Sequence, residues 1–320
     1  MLFSVLLILY AAFLHLAHWW LPPFTLELSN GVGTMWLEQW AVRDRVWEIL
    51  LVVLLLFIQG AIANVLIMEN RLAPQVTLFP GVFVVLLGCL LPAFLPFTGY
   101  HAANVFLLLA VLNLTRAYRL TSASDIIFNT GFWIGIASLF QPEYIWFLLG
   151  GWLALNLLRA SRIREQVTLL IGALVPWLLC GFAFYWFDQF DVFWDRQWVG
   201  VFYWPTIVGR ESIPYISILL MVLVVLAVLL NRRRYMLKTT MEVQKKIDLI
   251  YWFLFSAGVA ALFAQPWAEA RWLMVSPFCG MLLGLHFTSM SRRAAEAWHL
   301  FLLVLLFGLQ FYPLIPIFSP

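Results

Sequence analysis

Long runs of apolar residues recur along almost the whole of this 320-residue sequence. Each run has about 17 to 24 residues, which is the length that an α-helix needs to cross the roughly 30 Å hydrocarbon core of a bilayer. Charged residues make up 11% of the chain, whereas they make up about 25% of a typical soluble domain. The pattern therefore predicts an all-α, polytopic transmembrane helix bundle in which residues 1–320 form a single integral-membrane domain.

The apolar runs predict about eleven membrane spans. We place them at approximately residues 2–20, 46–68, 76–96, 101–118, 125–140, 143–158, 166–187, 213–231, 249–265, 272–290 and 296–317. The first run follows no basic segment and ends without a small-residue cleavage pattern, so we expect it to remain as the first span. The run at 143–158 is short, and the sequence leaves open whether it crosses the membrane completely.

Basic residues are divided unevenly between the two sets of predicted loops. With the N-terminus in the cytoplasm, 14 of the 19 basic residues lie on the cytoplasmic side and 10 of the 16 acidic residues on the outer side. This asymmetry follows the positive-inside rule and predicts a multi-pass protein of the bacterial inner (cytoplasmic) membrane with its C-terminus outside. It also accounts for the net charge of +3, so we expect no nucleic-acid partner. The basic cytoplasmic loop 231–248 is expected to contact anionic lipid headgroups.

A helical hairpin is predicted within residues 128–155, FNTGFWIGIASLFQPEYIWFLLGGWLAL. Pro142 ends the first of its two helices, because proline cannot donate a backbone hydrogen bond. Gly131 and Gly135 give that helix a face of small side chains, on which a neighbouring helix can pack closely. Glu143 lies at the outer tip of the hairpin and is a candidate binding residue.

Charged side chains are missing from the midplanes of the predicted spans, which argues against ion-coupled transport and proton pumping. The polar interruptions are amides, at Gln59, Asn64, Asn104, Asn113, Asn129, Asn156 and Gln310. We expect these amides to hydrogen-bond to neighbouring helices. His15 and His18 have a spacing that suits a metal or haem, but the following Trp19 and Trp20 favour an interfacial belt. The three cysteines lack a metal-ligand spacing, so no metal site or cofactor is evident.

Two predicted outer loops, residues 21–45 and 188–212, contain most of the candidate functional side chains. The first loop contains Glu38 and Asp44, and part of it has the helical spacing of a segment that lies flat in the interface. The second loop alternates aromatic residues with the carboxylates Asp188, Asp191 and Asp195. This alternation is typical of an amphipathic interfacial helix, although the same carboxylates could bind a divalent cation or sugar hydroxyls.

Four segments of the chain resemble a family of bacterial multi-pass inner-membrane proteins with no assigned function. They are NVLIMENRLAP, ANVFLLLAVLNLTRAYRL, DIIFNTGFWIGIASLFQPEYIWFLL and RWLMVSPFCGMLLGLHFTSMSRRAAEAWHLFLLVLLF. The resemblance covers roughly residues 55–310 and consists mostly of apolar residues. It implies a polytopic inner-membrane protein and brings no catalytic residues with it.

The positions of the two outer loops also resemble those of GT-C-type glycosyltransferases, which use lipid-phosphosugar donors. The segment GFWIGIASLFQP is similar to the small-residue helix that precedes a proline in many such enzymes. The resemblance implies that Glu38 or Asp44 is the catalytic base. It further implies binding of a sugar or metal-phosphate by the second-loop carboxylates, and of a polyprenyl-phosphate lipid by Arg210 or Arg271.

Three functional hypotheses remain open from the sequence. The first is a scaffold or subunit of a membrane complex, with other membrane or envelope proteins as partners. The second is a GT-C-like glycosyltransferase or a degenerate relative of one, and it predicts that Glu38 and Asp44 lie near residues 188–195 beside a lipid-sized groove. The third is a transporter or flippase of a lipid-linked substrate, which predicts a cavity that reaches the midplane around Gln59, Asn64 and Asn104.

Overall fold

The structure, a computed structural model, describes residues 2–21, 31–41, 44–120, 122–159, 162–198, 201, 215–236, 239–263 and 269–311. These parts of the chain form helices joined by turns, and none of them forms a strand. The prediction of an all-α protein is therefore confirmed.

Seven α-helices form the first half of the described chain. They are α1 (Leu2–Leu14), α2 (Val32–Ala41), α3 (Arg45–Glu69), α4 (Phe79–Gly88), α5 (Gly99–Thr115), α6 (Ser124–Phe140) and α7 (Phe147–Leu158). Short 3₁₀ helices lie between some of them, at Leu16–Trp19, Pro92–Phe94 and Pro142–Trp146. The 3₁₀ helix Pro142–Trp146 is the tip of the predicted hairpin, since it joins α6 to α7.

Six α-helices form the second half of the described chain. They are α8 (Ile163–Trp186), the single turn α9 (Phe190–Phe193), α10 (Tyr215–Met236), α11 (Met241–Phe263), α12 (Ser276–Thr288) and α13 (Arg292–Phe311). A π-helical turn, Trp194–Trp198, follows α9, and a 3₁₀ helix, Glu269–Met274, precedes α12. The main apolar core lies among α3, α4, α5, α11 and α12.

Glycines allow α6 and α8 to pack with their backbones almost in contact. A Cβ atom on Gly131 would lie 2.0 Å from the carbonyl oxygen of Leu169, and one on Gly172 would lie 2.2 Å from that of Phe128. Gly135 is equally close to the backbone of Ala173. Larger side chains would force the helices apart, so the predicted small-residue face of the hairpin is confirmed.

Three helices among the described residues are long and apolar enough to cross a membrane, namely α3, α8 and α13. This finding indicates a membrane protein, but three is fewer than the span count predicted from the sequence. One reason is that some predicted spans are interrupted. The run 76–96 is divided into α4 and the 3₁₀ helix at Pro92, and the run 143–158 begins as a 3₁₀ helix rather than an α-helix. Proline ends or tightens the backbone at both places because it has no N–H group.

Amide side chains connect neighbouring helices, as the sequence predicted. The side chain of Gln59 donates to the carbonyl oxygen of His101 at 2.8 Å, and the backbone N–H of Gly81 donates to Asn64 Oδ1 at 2.8 Å. Gln310 likewise donates to the carbonyl oxygen of Cys89 at 2.7 Å. Buried amides that make such bonds stabilise helix contacts in a medium that offers no water.

Candidate functional site

A partly buried group of charged and polar side chains surrounds the start of α3. Glu48 Oε1 accepts from the backbone N–H of Phe97 at 2.9 Å, and its Oε2 atom lies 3.5 Å from Nε2 of His18. Arg45, one turn earlier, donates to the carbonyl oxygens of His18 and Leu21. We call Arg45, Glu48, His18 and His15 the outer polar network. Its bonds join α3 to the end of α1 and to the segment before α5.

The two histidines of this network are core residues rather than part of an interfacial belt. His15 and His18 are both buried, and His15 Nε2 donates to the carbonyl oxygen of Leu95 at 2.8 Å. Trp19 and Trp20, by contrast, are exposed. The belt prediction is therefore wrong for the imidazoles, and it stays a prediction for the indoles. The signal that sequence reasoning missed was Glu48, which lies three residues after Arg45 and pairs with His18.

Two candidate binding residues, Glu143 and Arg271, are buried at the same end of the molecule. Glu143 lies in the 3₁₀ helix Pro142–Trp146 with 0% of its surface exposed, and Arg271 lies in Glu269–Met274 with 2% exposed. Both 3₁₀ helices pack against α11. Burial lowers the pKa of Arg271, and the neighbouring Tyr100 opposes that shift. Charged groups at such depth are uncommon in folded proteins, which makes this region a candidate site.

A hydrogen-bonded bridge connects the surroundings of these two residues. Tyr144, next to Glu143, donates from its hydroxyl to Asn104 Oδ1 at 2.7 Å. The amide nitrogen of Asn104 then donates to the carbonyl oxygen of Leu273 at 2.9 Å, two residues after Arg271. Asn104 lies on α5, so one side chain of α5 fixes both 3₁₀ helices.

The described carboxylates of the predicted outer loops do not join this buried region. Asp44 is exposed and caps α3, since its side chain accepts from the backbone N–H of Val46 at 3.1 Å. Asp188, Asp191 and Asp195 are all exposed as well. The side chain of Glu38, in α2, lies outside the described residues, as does the whole of Arg210.

The two outer loops nevertheless meet above the end of α6. The buried side chain of Gln197 accepts from the backbone N–H of Val32 at 3.5 Å and donates to the carbonyl oxygen of Ser138. Trp177 on α8 donates from its indole N–H to Ser138 Oγ at 2.6 Å. The convergence of the loops therefore depends on Gln197, which the sequence analysis did not single out, rather than on their acidic residues.

An apolar groove with a volume of about 730 Å³ lies between α7 and α8. It extends along α8 from Gln166 to Trp177. Trp146, Trp198 and Val201 line the end near Trp177. Trp146 is three residues after the buried Glu143. The volume lies within the range of roughly 300–1,000 Å³ that is usual for small-molecule sites.

The predicted cytoplasmic side is basic and largely exposed. Three cations, those of Arg119, Lys245 and Lys246, lie 5.3–5.9 Å from the ring centroid of Tyr118. Ion pairs in the same region include Arg116 with Glu69, at 3.1 Å. Such a surface is suited to anionic headgroups, although the structure does not identify a partner.

The described residues contain no group of three or more His, Cys, Asp or Glu side chains placed to hold a metal ion. A divalent cation near residues 188–195 therefore stays a prediction. No family model matches the chain, and no curated protein and no solved structure matches it either. The resemblances inferred from the sequence also stay predictions, and a functional proposal has to depend on the geometry described above.

Proposed function

We propose that this chain is a polytopic protein of the bacterial inner membrane, with about eleven spans, a cytoplasmic N-terminus and an outer C-terminus. The three long apolar helices support a membrane location. The excess of basic residues in alternate loops supports the orientation. Spans that consist of a short α-helix and a 3₁₀ helix require neighbouring helices to satisfy the backbone, and the close helix contacts of this fold are consistent with that requirement.

Within the membrane, we propose that the protein acts as a scaffold or subunit of a complex with other membrane or envelope proteins. The observation that carries this proposal is the outer part of α8. Trp177 bonds to Ser138, two residues before α6 ends, yet α8 continues for nine more residues to Trp186. That extension is about 14 Å long. We call residues 178–198 the aromatic arm.

The aromatic arm extends past the end of α6, the helix on which α8 packs, and much of its exposed surface is apolar. Leu178, Leu179, Phe182, Tyr185 and Trp186 are each 60–74% exposed. Large exposed apolar surfaces of this kind mark contacts with proteins or with the membrane. The three exposed aspartates of the arm add polar groups beside the apolar surface, which is the composition of a protein interface with a polar rim.

The proposal is tested by purifying the complex in native lipid and comparing two double variants. We expect wild-type protein to retain a stoichiometric partner, detected by mass spectrometry. The variant Phe182→Ala/Trp186→Ala should retain at least ten-fold less of this partner. The control Leu300→Ala/Phe301→Ala removes equally exposed apolar side chains from α13 and should retain the partner. Equal retention by the arm variant, or no stoichiometric partner in wild type, contradicts the proposal.

A second candidate is the GT-C-like glycosyltransferase, which the buried Glu143 and Arg271 favour. A buried carboxylate can take a proton from an acceptor hydroxyl, and a guanidinium can stabilise the charge of a departing phosphate. The apolar groove ends at Trp146, close to Glu143 in the chain, where a lipid-phosphate donor would have to lie. Asp44 is a weaker candidate for the base because its side chain already caps α3.

This candidate predicts transfer of a sugar from a polyprenyl-phosphate donor by purified wild-type protein. Glu143→Gln and Arg271→Gln should each lower the rate at least 100-fold, whereas the surface variant Asp191→Asn should not. Absence of transfer by wild type with any donor of this class counts against the enzyme and leaves the scaffold. The transporter hypothesis has less support, since Gln59, Asn64 and Asn104 are buried and bonded to neighbouring helices.

A further inference from the structure

The walls of the apolar groove are almost wholly hydrocarbon. Leu148, Leu149 and Trp152 of α7 face Val167, Leu170 and Leu174 of α8 across it. Its amide side chain, Gln166, donates to Asn156 Oδ1 at 3.4 Å. A surface of this composition gains free energy from contact with another apolar group and very little from contact with water.

The groove opens toward the surroundings of the protein rather than toward its core. α8 is one of the three helices that can cross a membrane, and only 33% of its most apolar window is buried. Val167, Leu170 and Leu174, which line the groove, are each about half exposed. If α8 crosses the bilayer, hydrocarbon therefore reaches the groove directly from the side.

The length of the groove indicates what kind of group fits. Gln166 and Trp177 are eleven residues apart on α8, which corresponds to about 16 Å along a helix. This length is close to one leaflet of a hydrocarbon core of roughly 30 Å. A transmembrane helix from a partner or a second copy would extend for the full thickness and would also be about 10–12 Å wide. A single acyl chain matches the groove better than a helix does.

We propose that the groove binds one acyl chain of a membrane phospholipid, with the headgroup end near Trp146, Trp177 and Trp198. Indole rings favour the interface between hydrocarbon and headgroups, so we place the headgroup end of the lipid beside these three tryptophans. The indole N–H of Trp177 is already bonded to Ser138, so this ring is held in place. The inference rests on the membrane location proposed above and not on the scaffold proposal, whereas the donor lipid of the enzyme proposal would compete for the same groove.

Photo-crosslinking in nanodiscs tests this inference. The probe is a phosphatidylcholine with a diazirine in one acyl chain, and peptide mass spectrometry locates the label. We expect the label to be concentrated in residues 145–152 and 166–177. Leu170→Trp/Leu174→Trp fills the groove and should reduce this labelling at least five-fold. Leu178→Trp/Leu179→Trp, on the same helix beyond the groove, should leave it unchanged.

Labelling of α13 in the same sample shows whether each variant remains folded in the bilayer, because Leu300 and Val304 are exposed there. If the groove is labelled no more than α13, or the groove-filling variant is labelled like wild type, lipid makes only the annular contact that surrounds any membrane protein and the inference is wrong. Absence of label from both regions contradicts the membrane location itself, so the two failures are distinguishable.

Discussion

Two sets of charged residues, near the predicted outer and inner ends of the helix bundle, differ in burial. At the predicted outer end, Glu143 and Arg271 are buried, and the side chain of Glu48 is only 13% exposed. At the predicted inner end, both side chains of the pair between Arg116 and Glu69 are about half exposed. The sequence contains the same kinds of residue at both ends, so their different surroundings decide what they contribute.

The difference is one of dielectric environment and of hydrogen bonding. A buried charge that lacks partners is costly, so a buried carboxylate has to be matched with donors and a buried guanidinium with acceptors, and removal of one member leaves the others unsatisfied. An exposed pair has water as an alternative partner and contributes little. We therefore expect large effects from substitutions of the buried charges and small effects from substitutions of the exposed ones, and the following predictions test that contrast.

The largest effect is expected from Glu48→Ala in the outer polar network. The substitution leaves the backbone N–H of Phe97 and the ring of His18 without their acceptor. We expect the free energy of unfolding in detergent to fall by about 3 kcal/mol. Thermal and denaturant unfolding followed by circular dichroism measure this change.

The matched control for this prediction is Glu296→Ala at the other end of the molecule. Glu296 pairs with Arg292 on an exposed surface of α13, so its loss should change the unfolding free energy by under about 0.5 kcal/mol. Similar effects of the two substitutions would mean that the outer network is solvated and that the contrast between the two ends is wrong.

A smaller effect is expected from Tyr144→Phe, which breaks the bridge between the two outer 3₁₀ helices. The phenylalanine keeps the ring packing but leaves Asn104 Oδ1 without the hydroxyl donor. We expect a loss of about 1–2 kcal/mol in the free energy of unfolding. Tyr185→Phe, at an exposed position of α8, is the control and should be neutral. A neutral Tyr144→Phe would indicate that water replaces the hydroxyl and that the bridge is wet.

Local patterns in the sequence predicted much of this architecture. Apolar run lengths predicted helices, the glycines of α6 predicted a close helix contact, and the amides predicted bonds between helices. These three features depend on residue type at a fixed spacing, which a single sequence displays. The burial of Glu143 and Arg271 was not predicted in this way, since Glu143 was chosen as a hairpin tip and Arg271 from a resemblance.

Contacts between distant parts of the chain could not be predicted in the same way. His18 and Glu48 are 30 positions apart, and Gln197 bonds to Ser138 across 59 positions. The apolar groove lies between two helices, and no local pattern reports the space that separates them. The prolines at 92 and 142 were visible, but whether a proline bends a span or divides it depends on the helices that pack around it.

Tyr235, near the C-terminal end of α10, should make the stability of the protein depend on pH in the alkaline range. Burial raises the pKa of Tyr235, and the hydroxyl of Tyr251 adds to the shift. The folded state then holds its proton more tightly than the unfolded state, whose tyrosine pKa is about 10. This stabilisation is complete below pH 10 or so and is lost as pH rises above it, by roughly 1 kcal/mol over the first pH unit.

The measurement is the melting temperature between pH 9 and pH 11 for wild type and Tyr235→Phe. The variant should show a shallower decline over this interval, because the phenylalanine cannot ionise. Parallel curves for the two proteins would show that Tyr235 is solvated and titrates normally, in which case the inner end contains no buried polar group at this position.

The smallest effect is expected for the exposed inner pair of Arg116 and Glu69, which a double-mutant cycle with Arg116→Gln and Glu69→Gln isolates. The guanidinium nitrogen and the carboxylate oxygen are 3.1 Å apart, but both side chains are hydrated and lose conformational freedom when they pair. We expect a coupling free energy below about 1 kcal/mol that decreases further as salt is added. A coupling of 2 kcal/mol or more that resists salt would mean that lipid or protein covers this surface and shields the pair from water. The inner end would then resemble the outer end, and basic residues there would contribute to the stability of the fold as well as to its orientation.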